Sequence, residues 1–176
     1  RVVGPAGNAV PPGTAGEVAV RGPNVMAGYW NKPEQTAEVL LDGGWYRSGD
    51  IGYLDEDGYL FLVDRAKDMI VSGGENVYCT EVEDALYTHP GVLEATVFGV
   101  PDEQWGEAVQ AAVVLRAGVQ VDEAELTAHC RERIAGYKVP KGFEFRSDAL
   151  PKSGAGKVLK RVLREPYWSG RERSIN

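Results

Sequence analysis

Apolar positions in the first third of the chain recur with a period near two. In residues 16–22, Val18 and Val20 alternate with small or polar neighbours, the pattern of a half-buried strand with both valines inward. Pro33 suits the first turn of a helix, and the pair Gly43-Gly44 would end that helix before Trp45. Residues 52–65 read as a hairpin, with Asp55, Glu56, Asp57 and Gly58 as the turn and residues 59–63 as the return strand. Beyond residue 68, helix and strand signals alternate. Thr80 and Glu83 have capping-box spacing at the start of a helix running through Leu86. Residues 92–98 and 108–115 are apolar enough for two central strands. Asp122 with Glu125 opens another helix, with Leu126, Cys130 and Ile134 on one face and Gly136 as its stop. A last helix begins near Lys157, its apolar positions being Val158, Leu159, Val162 and Leu163. The pattern predicts an α+β fold: a β-rich region, a boundary at residues 66–68, then a small central sheet flanked by helices. No internal repeat is present.

Composition narrows the options. A chain of 176 residues that is 43% hydrophobic can bury a normal core and holds one domain, or one and a part. No stretch approaches the ~20 apolar residues of a membrane helix. Prolines and glycines interrupt every apolar run in residues 1–30, so no signal-peptide pattern occurs there. Cys79 and Cys130 are too few for a disulfide framework and lack metal-ligand spacing; they read as small buried apolar residues, and His89 and His129 are no more informative. The net charge of −7 argues against general nucleic-acid binding. That charge is uneven. Residues 137–164 hold eight Lys or Arg against Glu144 and Asp148, a local +6 that suits either a solvated helix face or a phosphate-rich ligand.

Short motifs follow in a fixed order: WYRSGD ending at Asp50, DRAKDMIVSGGENVY from Asp64 to Tyr78, VPDEQWGE from Val100 to Glu107, and PKSGAGKVLKRVLRE from Pro151 to Glu165. Taken singly, each has an ordinary explanation. Asp50 after a glycine is usually a turn residue, although a carboxylate can accept from two neighbouring ribose hydroxyls. Arg65 would ordinarily be a surface ion pair, which contributes little. Lys67 would be an exposed linker residue. Residues 72–76 form a glycine turn whose missing side chains could also let a ligand lie along the backbone. Trp105 in a loop is more often a packing plug than a ligand contact. PKSGAGK is not a nucleotide P-loop, because Val158 stands where the magnesium-binding Ser or Thr would be.

Together and in this order, the motifs resemble the C-terminal third of an acyl-adenylate-forming enzyme. That superfamily includes acyl-CoA synthetases, firefly luciferase and the adenylation domains of peptide synthetases. The resemblance implies that residues 1–66 are the β-rich end of the large AMP-binding domain and residues 67–176 the small mobile α+β domain. It implies that Asp50 and Arg65 bind the nucleotide; Asp64 replaces a glycine common at that position. It makes Lys67 the hinge between half-reactions. Ser72, Gly73, Gly74 and Glu75 would line the pantetheine tunnel, with Trp105 beside the CoA arm. The segment Tyr137-Lys138-Val139-Pro140-Lys141 resembles (F/Y)-K-x-P-K, which points to Tyr137 and Lys141 as CoA contacts, with Val139 where an Arg is common. PKSGAGK matches PK-[ST]-x-x-GK, whose final lysine, Lys157 here, bridges the carboxylate and the α-phosphate during adenylation.

The implied activity is ATP-dependent conversion of a carboxylic acid, closest in wording to a fatty acid, into acyl-AMP and then acyl-CoA. ATP, CoA and the acid are the implied ligands, and the rest of the large domain the implied partner. Mg2+ would be held by residues outside this chain, with no metal site within it. The family's phosphate loop, its Y-G-x-T-E segment and the acyl pocket are absent from these residues, so the chain is expected to be a fragment, inactive by itself. A cytoplasmic location follows, with peripheral membrane contact left open. Two other readings stand beside this one: an adenylation domain feeding a carrier protein, which the WGE and YKVPK segments disfavour, and a non-catalytic CoA- or nucleotide-binding module, which Asp50, Arg65 and Lys157 together disfavour.

Overall fold

The computed structural model describes residues 1–170, so the last residues of the predicted second domain, 171–176, lie outside the described residues. The chain forms two compact units, Arg1–Lys67 and another beginning at Asp68.

The first unit contains β1 (Val2–Val3), β2 (Gly16–Val20), α1 (Pro33–Val39), β3 (Leu40–Leu41), β4 (Trp45–Leu54) and β5 (Leu60–Arg65). Its antiparallel sheet is organised around β4. Tyr46 pairs with Val20 on one edge and Leu40 on the other; Ile51 pairs with Glu17 on one edge and Asp64 on the other. The turn before β5 is closed by Asp55, whose Oδ1 accepts from the amides of Asp57 at 3.1 Å and Tyr59 at 2.8 Å. Two expectations are corrected in this unit. Val18 is buried, but Val20 is 40% exposed, because the β2–β4 register shifts between Glu17 and Ala19 and the inward place passes to Ala19. Helix α1 ends at Val39 and not at Gly43-Gly44. Leu40 and Leu41 leave it to pair with Tyr46 and Trp45, and the two glycines, at φ 75° and 77°, turn that hairpin.

The second unit contains β6 (Ile70–Ser72), β7 (Glu75–Val77), α2 (Cys79–Tyr87), β8 (Val92–Asp102), β9 (Gly106–Leu115), α3 (Glu123–Arg131), a 3-10 turn (Gly136–Lys138), β10 (Gly142–Arg146) and α4 (Lys160–Trp168). Strand β9 is central: β8 pairs antiparallel along its whole length, while β10, parallel, and β6 share the other edge. Residues 108–115 are apolar apart from Gln110 because β9 is covered on both faces. Val109, Ala111 and Val113 join Leu86 of α2 and Leu126 and Cys130 of α3 in one core. Ala112 and Val114 face the other way, into a smaller cluster with Phe98, Leu150 and Leu163 of α4. The result is a sheet with helices on both sides, the α+β architecture the pattern predicts.

The helix ends differ from their sequence signals. Asp122 caps α3, its Oδ1 accepting from the Glu125 amide at 2.8 Å. That helix stops at Arg131, short of Gly136, which opens the 3-10 turn instead. Thr80 and Glu83 make no capping box. Tyr78 is the N-cap residue, and Glu83 is drawn to β8, where its Oε1 accepts from the Thr96 hydroxyl at 2.9 Å and the Val97 amide at 2.8 Å. Helix α4 begins at Lys160 and not near Lys157, because residues 151–159 close on themselves as a separate loop. Cys79 and Cys130 are buried and outside any disulfide, and the Cys79 thiol donates to the Asp68 carbonyl at 3.0 Å.

Leu86 is fully buried between α2 and the sheet, whereas Leu93 is 47% exposed. Leu86→Ala is expected to destabilise the second unit by about 2–5 kcal/mol through lost transfer energy and a residual cavity. Leu93→Ala should stay within about 0.5 kcal/mol. Chemical denaturation followed by circular dichroism checks both, and equal effects would contradict this placement of the core.

Candidate functional site

The predicted site residues fall into three places. In the first unit, the β4–β5 hairpin sets Asp50 directly opposite Arg65. Arg65 Nε lies 3.4 Å from Asp50 Oδ1, and both side chains remain partly exposed, at 51% and 35% respectively. So exposed a pair adds little stability. What it does is hold an acceptor carboxylate and a guanidinium side by side, a donor set that suits a ribose hydroxyl next to a phosphate. Gly49, at φ 76°, sits in the irregular stretch of β4 just before Asp50, and Glu17 supports it by accepting from the Gly49 amide at 3.2 Å. Lys67 is exposed in the turn that follows β5.

In the second unit, the glycine turn and Trp105 are brought together. Strands β6 and β7 form a hairpin whose turn is Gly73-Gly74, at φ 61° and 85°. Ser72 pairs with Gly106, and the Gly73 amide donates to the Trp105 carbonyl at 2.9 Å. A Cβ on Gly73 would come within 2.6 Å of Trp105 Cε3, whereas one on Gly74 would meet nothing within 4 Å. Trp105, still 46% exposed, therefore lies over the hairpin backbone. Glu107, two residues further on, is buried and accepts from the Val71 amide at 3.1 Å. Lys141 joins the same end of the sheet, its amide donating to the Val109 carbonyl at 2.8 Å. Tyr137 and Lys141 are exposed. Lys138 between them is taken by Glu81, both of whose carboxylate oxygens lie 2.7 Å from Nζ. Burial works against its charge, but Glu81 outweighs burial and holds the Lys138 pKa above its ordinary value of 10.5.

Lys157 sits elsewhere, on the loop between β10 and α4. Ser153 closes this loop: its amide donates to the Lys157 carbonyl at 2.8 Å, and its hydroxyl accepts the Lys157 amide at 3.2 Å. The Lys157 side chain is exposed and makes no ion pair with a described residue. The loop's roots are tied to the sheet. Glu94 on β8 accepts from Lys152 Nζ at 2.7 Å and from the Leu150 amide at 3.1 Å, and Lys160 Nζ lies 2.9 Å from Glu83. The Lys152 hydrogen bond holds the Glu94 carboxyl below its ordinary value of 4.5.

Glu94 lies near the start of β8, and the turn carrying Trp105 follows its end at Asp102, roughly 26 Å further along the strand. The second unit thus carries Lys157 near one end of its sheet and the Gly73–Trp105 pair with Lys141 near the other; it does not bring them together. Sequence reasoning gave Glu83 a capping role and passed over Glu94 and Glu107; all three hold main-chain segments beside these loops. Their signal, for Glu94 and Glu107, was an acid inside an otherwise apolar strand. His89 and His129 also have structural partners: His89 contacts Glu125 at 3.2 Å, and His129 contacts the Ala85 carbonyl at 3.0 Å. Among the described residues no group of three or more His, Cys, Asp or Glu side chains could hold a metal ion, and no helix is long and apolar enough to cross a membrane.

This combination of a β-hairpin unit and a small α+β unit with a lysine loop defines a class. The AMP-binding enzyme C-terminal domain family matches residues 81–157. Feruloyl-CoA synthase from an Amycolatopsis species is 56% identical over 167 residues, 95% of this chain and 34% of that protein. Long-chain-fatty-acid–CoA ligase from Bacillus subtilis is 55% identical over 150 residues, 85% of this chain and 26% of that protein. The crystal structure of ATP-bound MatB from Rhodopseudomonas palustris superposes with a TM-score of 0.89 at 42% identity, covering 95% of this chain and 33% of that one. The chain belongs to the adenylate-forming enzyme superfamily. It spans between a quarter and about a third of the length of these curated relatives.

Substituting the two turn glycines separates packing from backbone strain. Gly74→Ala is expected to cost about 1–2 kcal/mol, the left-handed penalty for a residue with a Cβ. Gly73→Ala should cost about 1–3 kcal/mol more, because the methyl group overlaps the indole. Denaturant unfolding measures the difference, and the Trp105 indole N–H resonance should move for Gly73→Ala only.

Proposed function

We propose that this chain is the nucleotide-closing and thiol-presenting part of an AMP-forming acid–CoA ligase. In the first half-reaction a carboxylate attacks the α-phosphate of ATP and pyrophosphate leaves. In the second, the CoA thiol takes the acyl group and AMP leaves. Splitting one difficult step into two through a mixed anhydride follows the logic of covalent intermediates. Asp50 and Arg65 hold the nucleotide in both steps. Lys157 acts in the first, placing a compact cation where negative charge grows between the carboxylate and the α-phosphate. The hairpin of Ser72, Gly73, Gly74 and Glu75, with Trp105, Tyr137 and Lys141, receives the CoA arm in the second. Lys67 is the hinge. Mg2+ and the acyl pocket belong to residues outside this chain. The relatives' names point to acids as different as ferulate and long-chain fatty acids, so the proposal is limited to a carboxylic acid. Residues 1–66 then form the end of the large domain and residues 67–176 the small one.

The observation that supports this reading most directly is the separation of Lys157 from the Gly73–Trp105 pair along one sheet. Groups so far apart suit two half-reactions performed in turn. In the full-length protein, Lys157→Ala is expected to slow ATP–pyrophosphate exchange by about 100-fold, the scale for losing one preorganised charge contact. Thioester formation from supplied acyl-AMP should largely survive. Equal losses in both steps would contradict the assignment.

Lys67→Pro is expected to do the reverse. Proline fixes φ near −65° and restricts the residue before it, so a linker that must adopt two backbone states keeps only one. Single-turnover measurements should show thioester formation impaired far more than adenylation. A proline variant that makes acyl-CoA at the wild-type rate would move the hinge elsewhere.

A further inference from the structure

We propose that Glu94 is a positioning residue for Lys157, setting the loop that delivers the lysine to the reacting phosphate. The inference rests on the reading of Lys157 as the adenylation cation. The loop is a miniature hairpin. Lys152 pairs across it with Val158, and the Leu159 amide donates to the Pro151 carbonyl at 2.8 Å. Lys157 is therefore one residue from a cross-strand partner of Lys152, and whatever fixes Lys152 fixes the base of the lysine. Glu94 grips this leg at two points, the Lys152 ammonium at 2.7 Å and the Leu150 amide at 3.1 Å. Leu150 is also locked by packing, being 3% exposed among Phe98, Ala112, Val114 and Leu163. With side-chain exposures of 21% for Glu94 and 40% for Lys152, the pair is partly shielded from screening.

Glu94 differs from Glu83, which grips the other root through Lys160. Glu83 also satisfies the Val97 amide and the Thr96 hydroxyl on the edge of β8, so its loss would disturb the strand itself. Among the described residues, the polar contacts of Glu94 go to Leu150 and Lys152 on the segment that carries Lys157. A carboxylate on the central hairpin thus acts on the lysine through the loop, without touching the reacting atoms. A misplacement near 1 Å at the lysine is enough to lower a rate by up to about 100-fold.

The test uses the full-length protein with a panel of fatty acids and ferulate, followed by ATP–pyrophosphate exchange and by thioester formation from the matching acyl-AMP. Glu94→Ala should lower kcat for exchange by about 10- to 100-fold while KM for ATP and acid and the thioester step change little, the pattern of a lost transition-state contact. In the Lys157→Ala background the same change should cause no further loss, because two residues that act through one group do not add. Lys152→Met should reproduce the effect from the exposed end of the tie, and it carries the test should Glu94→Ala fail to fold. Equal losses in both half-reactions, or losses that multiply in the double variant, would overturn the positioning role. A Lys157→Ala enzyme with undiminished exchange would overturn the underlying reading of Lys157 instead.

Discussion

Strand β9 is closed to solvent on both faces, and the rest of the second unit is arranged by that fact. Its odd-numbered residues from Val109 to Val113 meet α2 and α3, and Ala112 and Val114 meet the α4 side. A strand so enclosed cannot leave its amides to water, so it takes neighbours on both edges. Several of its inward residues are alanines, which let the covering elements approach closely. The connecting loops then have nowhere to go but the ends. The end at Gly106 carries Trp105 and the glycine hairpin; the end near Val114 lies opposite Glu94 and the Lys157 loop. The spacing between the two is set by strand length and does not change with loop motion.

The strand edges and loop roots are finished with carboxylates. Glu83, Glu94 and Glu107 each accept a main-chain amide, from Val97, Leu150 and Val71 respectively. A charge-assisted bond to a backbone amide is stronger than a neutral one, and it orients a segment without needing a continuous ladder. Desolvating a carboxylate is costly unless it is matched, and lysines match two of them. The local excess of +6 between residues 137 and 164 is accordingly smaller in effect than in count. Lys138, Arg146, Lys152 and Lys160 face Glu81, Glu144, Glu94 and Glu83. Among the described residues, Lys141, Lys157 and Arg161 have no such partner, so the positive charge left for a ligand is concentrated at few points.

Much of this was legible in the sequence wherever one local rule governed a segment. The Asp122 cap, the Asp55–Gly58 turn and the two enclosed strands depend on short-range chemistry. Signals failed where tertiary partners competed. Glu83 has capping-box spacing, but a strand-edge amide offered it a better donor. Val20 follows the alternation, but a register shift moved it outward. Lys157 looked like the start of a helix because the apolar residues after it have helical spacing, yet Ser153 and Gly156, the latter at φ 80°, first close a hairpin. The tie between Glu94 and Lys152 joins residues 58 apart, a distance no periodicity spans.

On the proposed reading of Lys157 as the adenylation cation, the contrast between the tip and the roots of that loop follows from what such a lysine must do. Its four-carbon stem has substantial rotamer entropy, and that freedom is lost each time the ammonium engages a phosphate. If the backbone beneath it were also free, the ordering cost would include several φ/ψ pairs, and the effective concentration of the cation at the reacting atoms would fall. Tying Lys152 to Glu94 on β8 and Lys160 to Glu83 on α2, and closing the turn on Ser153, confines the disorder to the one side chain. Pairing those two lysines with acids also offsets two like charges beside Lys157. Order at the roots and exposure at the tip are thus two requirements of the same task, and a single pair of strand-borne and helix-borne carboxylates, Glu94 and Glu83, meets both.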